Sequence, residues 1–162
     1  MVDHAQGWQG PNRARKTWDT SSMASANVEL VRRGFAHFIA CGEPDWALLH
    51  EEIETYDHDI IDAGDYYGHA GYRRWLEEWA LAWSDFTLEP AHEVIDAGAD
   101  VILVYRLKAT GRSSGVTVER DDAIVCHVEN GLMTRLDYYN SREQALAHVG
   151  LAPEGDAADR RD

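Results

Sequence analysis

The sequence predicts an α+β fold, a cone-shaped curved antiparallel sheet with helices packed on its concave face. Three observations carry this expectation. Apolar residues recur at helical spacing through the first half of the chain. After Ser84-Asp85 the period falls to two and holds for four successive segments. The connections between those segments are short and turn-rich. Helices followed by a meander of strands is the pattern of helices segregated to one side of a sheet. A strongly bent sheet covered on one side encloses a hollow, which is a natural ligand site.

Residues 1–24 mix Gly, Pro, Asn, Arg and Ser without periodicity and read as an N-terminal tail, with Met23 an alternative start. The first helix is expected over residues 25–41, capped by Ser25 and stopped by Gly42. Val28, Val31, Phe35, Phe38 and Ile39 form its apolar face. Glu43-Pro44-Asp45 is expected to open a second, shorter helix carrying Trp46, Leu49 and Ile53. From Glu54 the chain turns extended through Tyr56-Asp57-His58-Asp59-Ile60. Gly68-His69-Ala70-Gly71 then launches a helix over about residues 70–83, striped by Tyr72, Trp75, Leu76, Trp79 and Trp83.

Residues 86–95, 101–109, 116–128 and 132–140 alternate as four strands, and Glu129-Asn130-Gly131 between the last two is a strong hairpin signal. A closing helix over residues 141–149 has Ser141 as cap and Gly150 as stop. Residues 152–162 form an acidic C-terminal tail, which leaves 25–151 as a single domain.

Composition narrows the function classes. With 162 residues, 44% of them hydrophobic, the chain can bury a sizeable core. Its 29 acidic against 15 basic residues give a net charge of -14, which repels phosphate backbones and anionic lipid surfaces, so no nucleic-acid or membrane partner is expected. The longest apolar run falls far short of the roughly 20 residues of a membrane helix. The first ten residues contain no apolar signal core, and the two cysteines, Cys41 and Cys126, read as free thiols, so a cytoplasmic location is expected. Phosphate loop, GxSxG elbow and HExxH motif are all absent from the sequence.

Particular residues point further. They are Asn27-Val28-Glu29-Leu30-Val31-Arg32-Arg33-Gly34-Phe35, Asp57-His58-Asp59-Ile60, Tyr67-Gly68-His69-Ala70-Gly71, Ile95-Asp96-Ala97-Gly98, and Asn130-Gly131 with Arg135-Leu136 and Ala145-Leu146. Over about residues 25–151 the chain resembles a SnoaL-like polyketide cyclase-related protein of the ketosteroid-isomerase and nuclear-transport-factor superfamily. The resemblance implies a cone fold that hosts isomerases, cyclases, dehydratases, epoxide hydrolases and non-enzymes. It places Asp57 where the isomerases keep their general base. Phe35 falls where they keep an oxyanion-stabilising tyrosine, and Val125 where they keep a protonated aspartate. Tyr138 falls where cyclases and epoxide hydrolases of the group carry an aspartate.

Asp57 is therefore the expected proton acceptor, since a carboxylate at the rim of an apolar cavity is raised towards a useful basicity. Asp59 shares its face on an extended segment and His58 points the other way. His69 is expected to organise the turn into its helix. Adjacent Asp57, His58 and Asp59 cannot all face one ion, and the other histidines show no ligand spacing, so no metal and no other cofactor is expected.

Strand parity supplies the remaining wall: Leu103, Tyr105 and Leu107 from one strand; Asp121, Ala123, Val125 and His127 from the next; and Leu136, Tyr138 and Asn140 from the last. Phe35 and Trp79 complete the expected lining, and Tyr138, Tyr105 or His127 would polarise a substrate oxygen. The expected ligand is an apolar, oxygenated small molecule. The chemistry is either cofactor-independent proton transfer or, in a non-enzyme, sequestration. A homodimer is expected through the outer sheet face, with Ile102 and Val104 at a two-fold interface.

Overall fold

The structure, a computed structural model, describes residues 20–60 and 63–151. The two tails, apart from residues 20–24, lie outside the described residues. Helix α1 (Thr20–Cys41) leads to a single 3-10 turn (Trp46–Leu48) and strand β1 (Leu49–Asp57). Strand β2 (Tyr66–Tyr67) and helix α2 (Gly68–Leu81) follow. Five more strands come next: β3 (Trp83–Leu88), β4 (Glu93–Ala97), β5 (Asp100–Gly111), β6 (Thr117–Glu129) and β7 (Leu132–Tyr139). Helix α3 (Arg142–His148) closes the fold.

The strands form one curled sheet in the order β2-β1-β7-β6-β5-β3, with β4 sharing the β5 edge. The sheet is mixed, because β1 runs parallel to β7, with Asp57 beside Tyr138. The later strands pair antiparallel as expected, and the one parallel pair is joined by the helix and strands between β1 and β7, which form the crossover that such a pair needs. The long hairpin β5–β6 lies inside the sheet and pairs Asp100 with His127 at one end and Thr110 with Thr117 at the other. The β6–β7 turn is the expected one, with Asn130 at φ 51° and Gly131 at φ 77°, the paired positive dihedrals of a tight hairpin.

Helix α1 starts at Thr20, five residues before the expected Ser25 cap. The expected second helix is only a 3-10 turn, held by the Asp45 carboxylate accepting the Ala47 N–H at 3.2 Å. Strand β1 takes over at Leu49 because Leu49, Ile53 and Thr55 are buried along it at 6%, 0% and 2% exposure, which a sheet face satisfies. Trp83 likewise falls on β3 and not on the preceding helix. The 86–95 strand is two strands, β3 and β4, because both pair along one edge of β5.

Two cores result. On the concave side Val31 of α1 and Tyr72 and Trp75 of α2 pack on Ile53, Leu103, Ile124 and Leu136. On the convex side Ile102, Val104, Ala123 and Val125 are covered by Ala145 and Leu146 of α3. Ile102 and Val104 are 0% exposed within one chain, so neither is available to a two-fold interface, contrary to expectation. Among the described residues no helix is long and apolar enough to cross a membrane.

Candidate active site

Asp57, the last residue of β1, stands at the mouth of the cone. Its Oδ2 accepts the Trp75 indole Nε1–H at 3.1 Å and its Oδ1 accepts the Asp59 backbone N–H at 3.2 Å. Burial raises its pKa above the ordinary aspartate value, and these two donors only partly offset the effect. No salt bridge reaches it among the described residues, so the carboxylate is oriented without being neutralised.

A second acid faces the same region. An inward residue's antiparallel partner also faces inward, and the β5–β6 register pairs Tyr105 with Asp122. Asp122 is 5% exposed and accepts the Arg120 Nε–H at 2.7 Å. Its pKa is raised, by burial first and by the charges of Asp59 and Asp57 as well, against the pull of Arg120. Arg120 Nη2 also donates to Asn140 Oδ1 at 2.8 Å, and the Asn140 backbone N–H donates to Asp59. Asp57, Asp59, Arg120, Asp122 and Asn140 thus form one polar rim drawn from the end of β1, from β6 and from the residues just after β1 and β7.

Two spaces meet there. A cleft of about 700 Å³ is lined by Asp57, Asp59, Tyr66, Trp75, Trp79, Trp83, Arg120 and Asn140. A narrow apolar cavity of about 80 Å³ lies deeper, between Phe35, Trp75, Leu103, Tyr105, Leu136 and Tyr138. Trp75 and Trp79 belong to both walls. The Tyr138 hydroxyl pairs with that of Tyr72 at 2.8 Å, its ring lies 4.0 Å from Trp75, and burial pushes its pKa well up. Phe35 rests 4.9 Å from the Tyr105 ring.

Of the residues expected at the site, Asp57, Asp59, Trp79 and Asn140 line the cleft, and Phe35, Leu103, Tyr105, Leu136, Tyr138 and again Trp79 line the cavity. Leu107 is fully buried but lines neither space. The β6 set is displaced by one residue. Asp121 sits on the convex side, where Arg106 Nε lies 3.1 Å away. Val125 packs in the core under α3. His127 lies outside between Asp100 at 2.7 Å and Glu129 at 3.1 Å, which raise its pKa; it cannot polarise a ligand in the cone. The inward members of β6 are Arg120, Asp122, Ile124 and Cys126, and the sequence reading missed Asp122 and Arg120. The Thr110–Thr117 closure of the hairpin was the signal for them.

Cys126 is buried in the cavity wall, where desolvation pushes its thiol up to about 12, too weak an acid for a nucleophile. His69, at the start of α2, has its Nε2 3.0 Å from the Leu49 carbonyl and so ties that end of the helix to β1. His58 turns to the convex face as expected and meets Asp137 at 2.7 Å. With His148 it forms the three-residue set whose atoms lie close enough to hold a metal.

Fold and site together define an α+β cone with an acidic cleft at its mouth. No family model and no curated protein matches the chain. Solved structures do. An NTF2-like protein of unknown function from Burkholderia pseudomallei is 16% identical, with a TM-score of 0.60 over 77% of this chain and 98% of that one. An NTF2-like protein from Burkholderia xenovorans is 23% identical, with a TM-score of 0.58 over 77% and 95%. A protein with a ketosteroid isomerase-like fold from Catenulispora acidiphila, in complex with trimethylamine, is 15% identical, with a TM-score of 0.54 over 72% and 92%. The chain has the ketosteroid isomerase-like, nuclear-transport-factor-like fold.

Proposed function

We propose that the cleft binds a neutral, largely apolar, oxygenated small molecule and that Asp57 removes a proton from it, in cofactor-independent isomerisation, cyclisation or dehydration. The observation that carries this reading is the Asp57 carboxylate: it faces the cleft, is raised by burial, is fixed by two N–H donors and forms no salt bridge among the described residues. Such a group is a stronger base than a solvated aspartate and loses little freedom on reaction. Arg120 and Asn140 on the rim supply donors for a substrate oxygen. Tyr105 and Tyr138 do so for a ligand that reaches the inner cavity. With Asp57 and Asp59 both on the wall, an anionic substrate is disfavoured. A cleft of about 700 Å³ matches a small organic ligand.

A binding protein without catalysis is the second reading. The hollow inside the cone is only about 80 Å³, so most of a ligand would stay in the outer cleft. Native mass spectrometry of protein taken from cells identifies the ligand, and Asp57→Asn then separates the two readings. On the enzymatic reading the variant still binds and loses at least about a hundredfold in kcat. Turnover equal to that of the unaltered chain overturns the assignment.

A further inference from the structure

We propose a transition-metal site on the convex face, formed by His58, Asp137 and His148 and suited to Zn²⁺. The three residues come from the position just after β1, from the second half of β7 and from the end of α3, so no spacing in the sequence announces them. Their ligand atoms all lie within 4.8 Å of one another. His58 Nε2 is 2.7 Å from Asp137 Oδ1, and His148 Nε2 is 3.8 Å from Asp137 Oδ2. Two ligands on a tetrahedral Zn²⁺ stand about 3.4 Å apart, and the two observed separations bracket that value. Small side-chain shifts complete the set.

The surroundings support a built site. Asp137 is 1% exposed, and Arg135 orients its carboxylate through Nε to Oδ2 at 2.8 Å and Nη2 to Oδ1 at 3.0 Å. His148 Nδ1 meets the Tyr139 hydroxyl at 2.6 Å, which leaves Nε2 turned to Asp137. The His58 ring lies flat on Tyr139, with centroids 4.5 Å apart and planes at 6°. Ligands fixed in this way by outer partners are typical of real metal sites. Side-chain exposures of 35% for His58 and 24% for His148 give an ion access from solvent and leave a coordination position for water.

The strongest opposing effect is Arg135, whose positive charge repels a dication. It is outweighed on three counts. The guanidinium occupies one edge of the carboxylate, and each oxygen keeps a second lone pair towards a histidine. The chain's net charge of -14 raises the local cation concentration. Two imidazoles and one carboxylate favour Zn²⁺, Cu²⁺ or Ni²⁺ over Mg²⁺ or Ca²⁺, which demand oxygen ligands. Zn²⁺ binds neutral imidazole nitrogens, so metal and protons compete for them and binding weakens as pH falls. Bound metal would tie the strand that carries Asp57 to β7 and α3 from outside the cone.

The test uses the full chain, stripped with a chelator and dialysed, titrated with Zn²⁺ by calorimetry and with Co²⁺ by visible absorption. Expected are one equivalent of bound Zn²⁺, the d–d bands of tetrahedral Co²⁺, and a Kd that rises at least about tenfold in both His58→Ala and His148→Ala. His92→Ala, a surface histidine elsewhere, should match the unaltered chain. Should His148→Ala loosen α3, seen as a lost melting transition, His148→Gln keeps the bulk and is expected to show the same loss of binding. No saturable binding below millimolar Zn²⁺ overturns the site. So does equal affinity in the His58 and His148 variants, which would mark diffuse binding by surface carboxylates.

Discussion

The Trp75 indole N–H donates to Asp57 Oδ2 at 3.1 Å, which links the middle of α2 to the last residue of β1 at the mouth of the cone. The same indole lies 4.0 Å from the Tyr138 ring and walls both the cleft and the inner cavity. Trp75 therefore helps to orient the acid, tempers the rise that burial gives its pKa, and forms part of the wall between the two spaces.

Trp75→Phe keeps an aromatic wall and deletes the donor. A hydrogen bond to the anionic form holds an acid's pKa down, so its loss raises the Asp57 pKa further. The variant should also lose about 1–2 kcal/mol of stability, because a half-buried carboxylate gives up one partner. Carboxyl-detected NMR titration reads the first effect and urea denaturation the second. An unchanged Asp57 pKa would contradict the link.

Asp122 and Asp137 are both buried but titrate in opposite directions. Burial raises Asp122, so the fold disfavours its charge at neutral pH, and Asp122→Asn should cost under about 1 kcal/mol there. For Asp137 burial opposes the charge, yet hydrogen bonds from Arg135 and His58 win and hold its pKa below the usual value. Its contribution is present above the unfolded aspartate pKa and is lost as pH falls through the folded one. Asp137→Asn should therefore cost about 1–3 kcal/mol at pH 7 and progressively less in acid. Denaturation curves across pH compare the two variants.

His127 gains two carboxylate partners, Asp100 first, and its pKa is raised. Stability from a raised histidine is complete below the unfolded value near 6.5 and disappears as pH rises through the folded value. The melting-temperature gap between the unaltered chain and His127→Gln should be widest at pH 6 and narrow steadily towards pH 9. A gap that stays constant would place the effect in packing and not in charge.

Gly71→Ala tests the start of α2. An added Cβ would stand 2.8 Å from the Tyr66 carbonyl carbon and 3.1 Å from its Cα, and backbone cannot yield as a flexible side chain would. The expected cost is about 1–3 kcal/mol, together with lost amide-exchange protection at β2. Gly98→Ala is a poor control, because φ is +83° there and the substitution is strained despite open space around it.

The sequence made the fold legible where burial is one-sided. The periodic face of α1, the Asn130-Gly131 turn and the α2 stripe from Tyr72 to Trp79 survive, and only Trp83 passes to β3. It misled where both faces are covered. Val101–Tyr105 and Ala123–Cys126 are buried without a break, since helices α1 and α2 close one side and α3 the other. An uninterrupted apolar run carries no parity, so the choice of Asp121 over Asp122 rested on nothing local; only pairing across the β5–β6 hairpin decides it. The short β1 run was masked differently, because Trp46, Leu49 and Ile53 fit helical spacing as well as a bulged strand whose register shifts between Leu49 and Glu54. Asp57 was legible through the family resemblance, which puts it at the general-base position, whereas its Trp75 partner required tertiary structure.

The central claim is that Asp57 is a desolvated base at the cleft mouth. Its carboxyl pKa, measured residue by residue by NMR in the unliganded full chain, tests this without knowledge of the substrate. A value clearly above 3.8, the ordinary aspartate value, is the predicted result. A value at or below 3.8 would show a solvated or ion-paired carboxylate and contradict the account.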